Sequence, residues 1–178
     1  MNLNQETEEL RSFYDELKSC EDCPVDRRFK HEFGWGVLDK IMFIGQCPAF
    51  SNWKGKRGNS EFDKFFMELI QPIGLTFSDF YFTNLVKIPV KISDMNEAVL
   101  EHCATHLIDE VKLVKPKAIF ALGKYAYQFS KKAGIDCKPL AHPGSIKYGN
   151  ITEEAWKQEL KEKLVKINAE KFLGRKLS

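Results

Sequence analysis

Three short apolar runs constrain this chain more than any other feature: KIMFIG (40–45), FYFTNLV (80–86) and KAIFALG (117–123). Runs so short and so uniformly apolar suit strands that are covered on both faces. Between them lie segments with helical spacing. Residues 5–19 place Leu10, Phe13, Tyr14 and Leu17 on one face. Ser60, with Asp63 three residues on, has the pattern of an N-cap that opens a helix over FDKFFMELIQPIG (62–74). Residues 96–114 set Val99, Leu100, Cys103, Leu107 and Val111 on one stripe, and Pro116 ends the segment. A helix over 124–134 and a short strand at KPLA (138–141) follow, and Thr152 caps a last amphipathic helix over 152–172. Strand and helix therefore alternate. The pattern predicts a three-layer α/β/α fold around a central four-stranded parallel sheet.

The 178 residues fit a single domain, 1–178, and 43% of them are apolar, enough for a proper core and too many for a disordered chain. No apolar run reaches the length of a membrane span, and the acidic opening MNLNQETEEL is unlike a secretory signal. These features predict a soluble cytoplasmic protein that meets no membrane. Net charge is +2, but its distribution is uneven. Residues 1–26, an acidic helix running into Cys20-x-x-Cys23, hold eight acids against two bases, so the rest of the chain carries +8. A mildly basic body is compatible with nucleic-acid binding without requiring it. Five cysteines form no dense disulfide scaffold, and an intracellular Cys-x-x-Cys points to a metal or redox site.

In parallel α/β folds the active site gathers at the C-terminal ends of the strands. Here those ends carry Gln46-Cys47-Pro48, Asn84 and His142-Pro143. Cys20-x-x-Cys23-Pro24, IMFIGQCPA, YFTNLVK, Cys103 before LIDEVKLVKPKAIFALG, and HPGS follow in order between residues 18 and about 148. In that ordered set the chain resembles the uracil-DNA glycosylase superfamily, and within it the family 4 enzymes, which carry an iron–sulfur cluster.

The resemblance implies hydrolysis of the N-glycosidic bond of uracil, or another deaminated base, in DNA during base excision repair. It implies a monomer that works on DNA, hence association with the nucleoid. Such an enzyme flips the nucleotide out, reads its Watson–Crick edge and stabilises the base leaving as an anion. Asn84 suits the reading step, since its amide offers both a donor and an acceptor to uracil O4 and N3–H. His142 suits the leaving-group step, as a neutral imidazole donor aimed at O2. The loop at Gln46 and Cys47 would supply backbone N–H groups. Gly144 and Ser145 would help pinch the DNA backbone, and the basic loop residues Lys54, Lys56 and Arg57 are candidates for phosphate contact.

Three departures from the family pattern bear on this chemistry. Where family 4 has Gly-Glu-x-Pro-Gly, this chain reads Gly45-Gln46-Cys47-Pro48-Ala49, without a carboxylate to orient water. Asn52, Glu61 and Asp63 are nearby alternatives. The stretch GKRGN (55–59) lacks the aromatic that stacks on the flipped base. Phe50, Trp53 or Phe62 could replace it, although Phe62 could equally pack in the core with Phe65 and Phe66. Finally, the family's [4Fe–4S] cluster takes four cysteines. Cys20, Cys23 and Cys103 match, but Ile88 stands where the third belongs, which leaves a cluster with a non-cysteine fourth ligand, a different metal such as zinc, or a reduced site with no metal. The retained Asn84 and His142 favour an active glycosylase. The missing carboxylate and aromatic favour a catalytically weakened relative that binds damaged or single-stranded DNA.

Overall fold

The computed structural model describes residues 7–20, 31–48, 60–91 and 95–177. Its sheet has the order β1-β3-β2-β4-β5, built from Trp35–Gly36 (β1), Ile41–Gly45 (β2), Phe80–Asn84 (β3), Ala118–Leu122 (β4) and Lys138–Leu140 (β5). Strands β2 to β5 form the expected four-stranded parallel core. The addition is β1, which pairs antiparallel with the outer side of β3 and makes the sheet mixed. Two residues are too few to leave a periodic signal. They fit here because Gly36 takes φ +123°, with the Phe80 carbonyl where a β-carbon would stand.

Alternation along the strands sorts side chains between two cores. Met42, Ile44, Tyr81, Ile119 and Ala121 face α1 (Glu8–Lys18) and α3 (Glu97–Val114). Ile41, Phe43, Phe80, Phe82, Phe120 and Leu122 face α2 (Glu61–Ile70) and α6 (Glu153–Lys166). The second core is aromatic: Phe66 meets Phe43, Phe80 and Trp156 edge-on, the arrangement that ring quadrupoles favour.

Helix ends follow local chemistry. Ser60 and Asp63 form the expected reciprocal capping box of α2. After Ile70 the chain tightens into a 3₁₀ turn over Gln71–Ile73, where Pro72 can donate no bond, and Gly74 closes it in the left-handed region. Helix α4 spans Lys124–Lys132. Two residues beyond His142 a single helical turn begins, α5 (Gly144–Lys147).

The helix expected over 152–172 is two helices. It breaks at Asn168, whose φ of +52° no continuous helix allows, and resumes as α7 (Ala169–Leu173). Asparagine tolerates that conformation better than most residues. Among the described residues no helix is long and apolar enough to cross a membrane.

Candidate active site and metal centre

The parallel register sets Gly45 beside Asn84 at the ends of β2 and β3. A β-carbon on residue 45 would lie 2.4 Å from Asn84 Oδ1, so any larger residue there would displace that amide. The Asn84 backbone is held from below, its carbonyl accepting a 2.6 Å bond from Lys87 Nζ. Among the described residues nothing hydrogen-bonds its side-chain amide, whose Oδ1 lies against Gly45.

His142 follows β5. Its Nδ1 accepts the Gly144 N–H at 3.0 Å, and its carbonyl accepts the Ser145 N–H at 2.8 Å. An accepting Nδ1 places the proton of the neutral ring on Nε2, leaving a donor for something outside the ring. Burial holds the ring's pKa below the usual histidine value, which favours that neutral form. Neighbours fix the loop: Trp156 Nε1 donates to the Ala141 carbonyl at 2.7 Å. Gly144 must lack a side chain, since a β-carbon would come within 2.9 Å of His142 Nδ1. Gly144 and Ser145 thus hold His142 through their backbones.

Phe62 joins both of its expected settings. Its ring lies 5.8 Å from that of His142, and it also stacks on Phe66 at 5.9 Å and touches Phe82 at 5.5 Å. It is half-buried at the edge of the aromatic core, with His142 on its outer side.

Gln46 and Cys47 are turned elsewhere. Gln46 Nε2 donates to Met95 Sδ, while its carbonyl accepts Val86 N–H. The Cys47 thiol points to the Val90 carbonyl at 3.8 Å and packs against the α1/α3 core, and burial pushes its pKa up. Asp63 Oδ2 accepts from the Ser60 N–H and hydroxyl, so one oxygen of this candidate carboxylate is engaged in the cap of α2. Glu61 is solvent-exposed on the first turn of α2. Cys23, Phe50, Asn52, Trp53, Lys54, Lys56 and Arg57 lie outside the described residues.

A second cluster forms behind β3, with members that the cysteine spacing did not reveal. Cys20 Sγ lies 3.3 Å from His102 Nε2 and 3.5 Å from His106 Nε2, and the two nitrogens are 3.3 Å apart. Their ligand atoms converge closely enough to hold a metal ion. The histidines stand four residues apart on α3, hence on one face, a spacing visible in HCATH. Cys103, expected as a cluster ligand, is buried in the α1/α3 core and lines the same small pocket. Ile88 is buried and offers no donor. In a four-iron cluster each iron takes its own thiolate. Here a thiolate and two imidazoles meet at one point beside a cavity of about 20 Å³. Among the described residues these three ligand atoms converge closely enough for one metal ion, and Cys23 lies outside that set.

Residues 35–165 match the model of the uracil DNA glycosylase superfamily. The chain is 29% identical over 127 residues to a Type-4 uracil-DNA glycosylase of Archaeoglobus fulgidus, an overlap that is 68% of this chain and 63% of that protein. It is 27% identical over 119 residues to its counterpart in Pyrobaculum aerophilum, covering 65% and 61%. A third, from Sulfurisphaera tokodaii, is 30% identical over 129 residues, covering 68% and 59%. The match therefore spans less than two thirds of the length of each of these relatives.

Proposed function

From the premise that the chain belongs to the uracil DNA glycosylase superfamily, we propose that it excises uracil, or another deaminated base, from DNA as a single-domain monomeric hydrolase. The observation that carries this reading is the neutral His142, with Nδ1 tied to the Gly144 N–H and Nε2–H left to donate. A flipped uracil would meet the amide of Asn84 along its Watson–Crick edge and the Phe62 ring beside His142. As the C1′–N1 bond breaks, its electron pair passes to the base, and His142 Nε2–H stabilises the charge gathering on O2. Water then adds its oxygen to C1′, and its proton neutralises the departing anion. With no carboxylate in the Gln46 loop, anion stabilisation supplies more of the barrier reduction than general-base help, which is worth about 10²–10⁴-fold where present.

DNA would approach over the strand ends. There α5 presents Lys147 above the Phe65 ring and the exposed Tyr148, alongside Gly144 and Ser145. The basic loop of Lys54, Lys56 and Arg57 is proposed to hold phosphates. An iron–sulfur cluster implied by the resemblance would serve structure alone, because the hydrolysis transfers no electrons.

The test is single-turnover excision from uracil-containing oligonucleotides. Removing one preorganised donor costs about 10²–10³ in rate, so His142→Ala should slow excision by that factor with DNA affinity nearly unchanged. Asp63 bound in its cap and Gln46 bound to Met95 favour a second reading, a weakened relative that only binds damaged DNA. A wild-type protein that binds such DNA without releasing the base would establish that reading instead.

A further inference from the structure

We propose that Cys20, His102 and His106 form a mononuclear zinc-type site, in place of the four-cysteine cluster that the family resemblance implies. The inference does not rest on the glycosylase reading, because the site lies behind β3 and its test does not read activity.

Geometry is the main argument. Zinc bonds thiolate at about 2.3 Å and imidazole at about 2.0–2.1 Å, so tetrahedral angles put two nitrogens about 3.3 Å apart and sulfur about 3.6 Å from each nitrogen. The three observed separations are 3.3, 3.3 and 3.5 Å. The backbone delivers each donor without strain. Cys20 follows the last turn of α1, where its N–H is held by the Leu17 carbonyl at 3.2 Å. His102 and His106 project from successive turns of α3, with ring planes 86° apart and both Nε2 atoms facing Sγ. A planar stack of the two rings could not present both lone pairs to one point.

Chemistry selects the ion. One soft thiolate and two imidazoles make a nitrogen–sulfur set of the kind that zinc takes, whereas magnesium and calcium require oxygen. Cys20 loses its proton on binding, and each imidazole binds through Nε2 with its proton on Nδ1. The cavity of about 20 Å³ beside the donors has room for one small guest. Lys87 lines the same pocket, but its ammonium is committed to Glu110, Thr83 and the Asn84 carbonyl. The ion would clamp the end of α1 to the middle of α3.

The experiment is elemental and sulfide analysis of anaerobically purified full-length protein, followed by titration with Co²⁺ as a spectroscopic probe. Expected results are one zinc-class ion per chain, and visible bands of tetrahedral Co²⁺ with a thiolate charge-transfer band that Cys20→Ser abolishes. His102→Gln and His106→Gln should each lower metal retention by at least about tenfold, the lower end of what even an outer-shell partner costs. Cys137→Ser, remote from the site, should retain the metal in full. Should a ligand variant fail to fold, the wild-type stoichiometry and Co²⁺ spectrum still decide. Iron with acid-labile sulfide in the wild type would overturn the proposal in favour of a cluster. Absence of metal together with no Co²⁺ spectrum would reduce the three residues to a thiol–imidazole hydrogen-bond group.

Discussion

His142 is a half-buried base, and that has a consequence for stability. Burial disfavours its cation and holds its pKa below the usual histidine value in the folded protein. Unfolding returns the ring to water and to about 6.5. Below that pH the unfolded chain binds the extra proton, so this group's contribution is present in full above about 6.5 and lost as pH falls toward the folded-state value. His142→Gln cannot titrate. Urea midpoints should show wild type losing ground to the variant below about pH 6.5 and a constant difference above it, and an equal difference at every pH would place His142 in a solvated setting. At this scale the sequence was a partial guide. Asn84 and His142 stood out because strand ends are where α/β folds expose chemistry. Phe62 could not be assigned to core or site, and the structure explains why: its ring touches Phe66, Phe82 and His142 together. Asp63 fits both a capping and a water-holding role in the sequence, and the structure shows the capping role through Oδ2. Cysteine spacing alone does not reveal His102 and His106, whose i, i+4 interval in HCATH is nevertheless legible.

Elements with strong periodicity were legible nearly to the residue, whereas those set by one or two backbone torsions were not. β2, β3 and β4 sit inside the apolar runs that announced them. β1 depends on a single glycine against the Phe80 carbonyl, and the α6/α7 break on one left-handed asparagine, features that no hydrophobic pattern encodes. The one-turn helix α5 bears on the proposed site, since its first N–H fixes the His142 ring. Gly144→Ala tests that coupling. Alanine favours helix over glycine by up to about 1 kcal/mol, so global stability should hold or rise slightly. The new β-carbon would fall 2.9 Å from Nδ1 and push the imidazole aside. A misplacement of about 1 Å can cost around 10²-fold in rate, so single-turnover excision should drop by that order while the thermal midpoint does not fall. A parallel loss of midpoint would mean that the substitution had damaged the fold and not the alignment.

Across the whole molecule, the two faces of the sheet are built on different principles. The α2/α6 side is held by aromatic packing, while the α1/α3 side contains a buried polar knot. Glu110 on α3 accepts from the hydroxyls of Tyr14 on α1 at 2.7 Å, Tyr81 on β3 at 3.1 Å and Thr83 on β3 at 3.0 Å. It also pairs with Lys87, which grips the Asn84 carbonyl, so the knot joins two helices and the strand that bears the candidate base-reading residue. The sequence gives no hint of this, because a lone glutamate within an amphipathic helix looks like a surface residue. Both charges are almost fully buried. Removing one partner of such a pair costs about 3–5 kcal/mol, mostly because the other charge is left uncompensated. Lys87→Met should therefore destabilise the protein by about that amount. Adding Glu110→Gln removes the stranded charge, yet its amide oxygen can still accept from the hydroxyls, so the double variant should be more stable than Lys87→Met alone. Urea unfolding with an unchanged m-value measures both differences. If the two substitutions simply add, Lys87 and Glu110 are not electrostatically coupled.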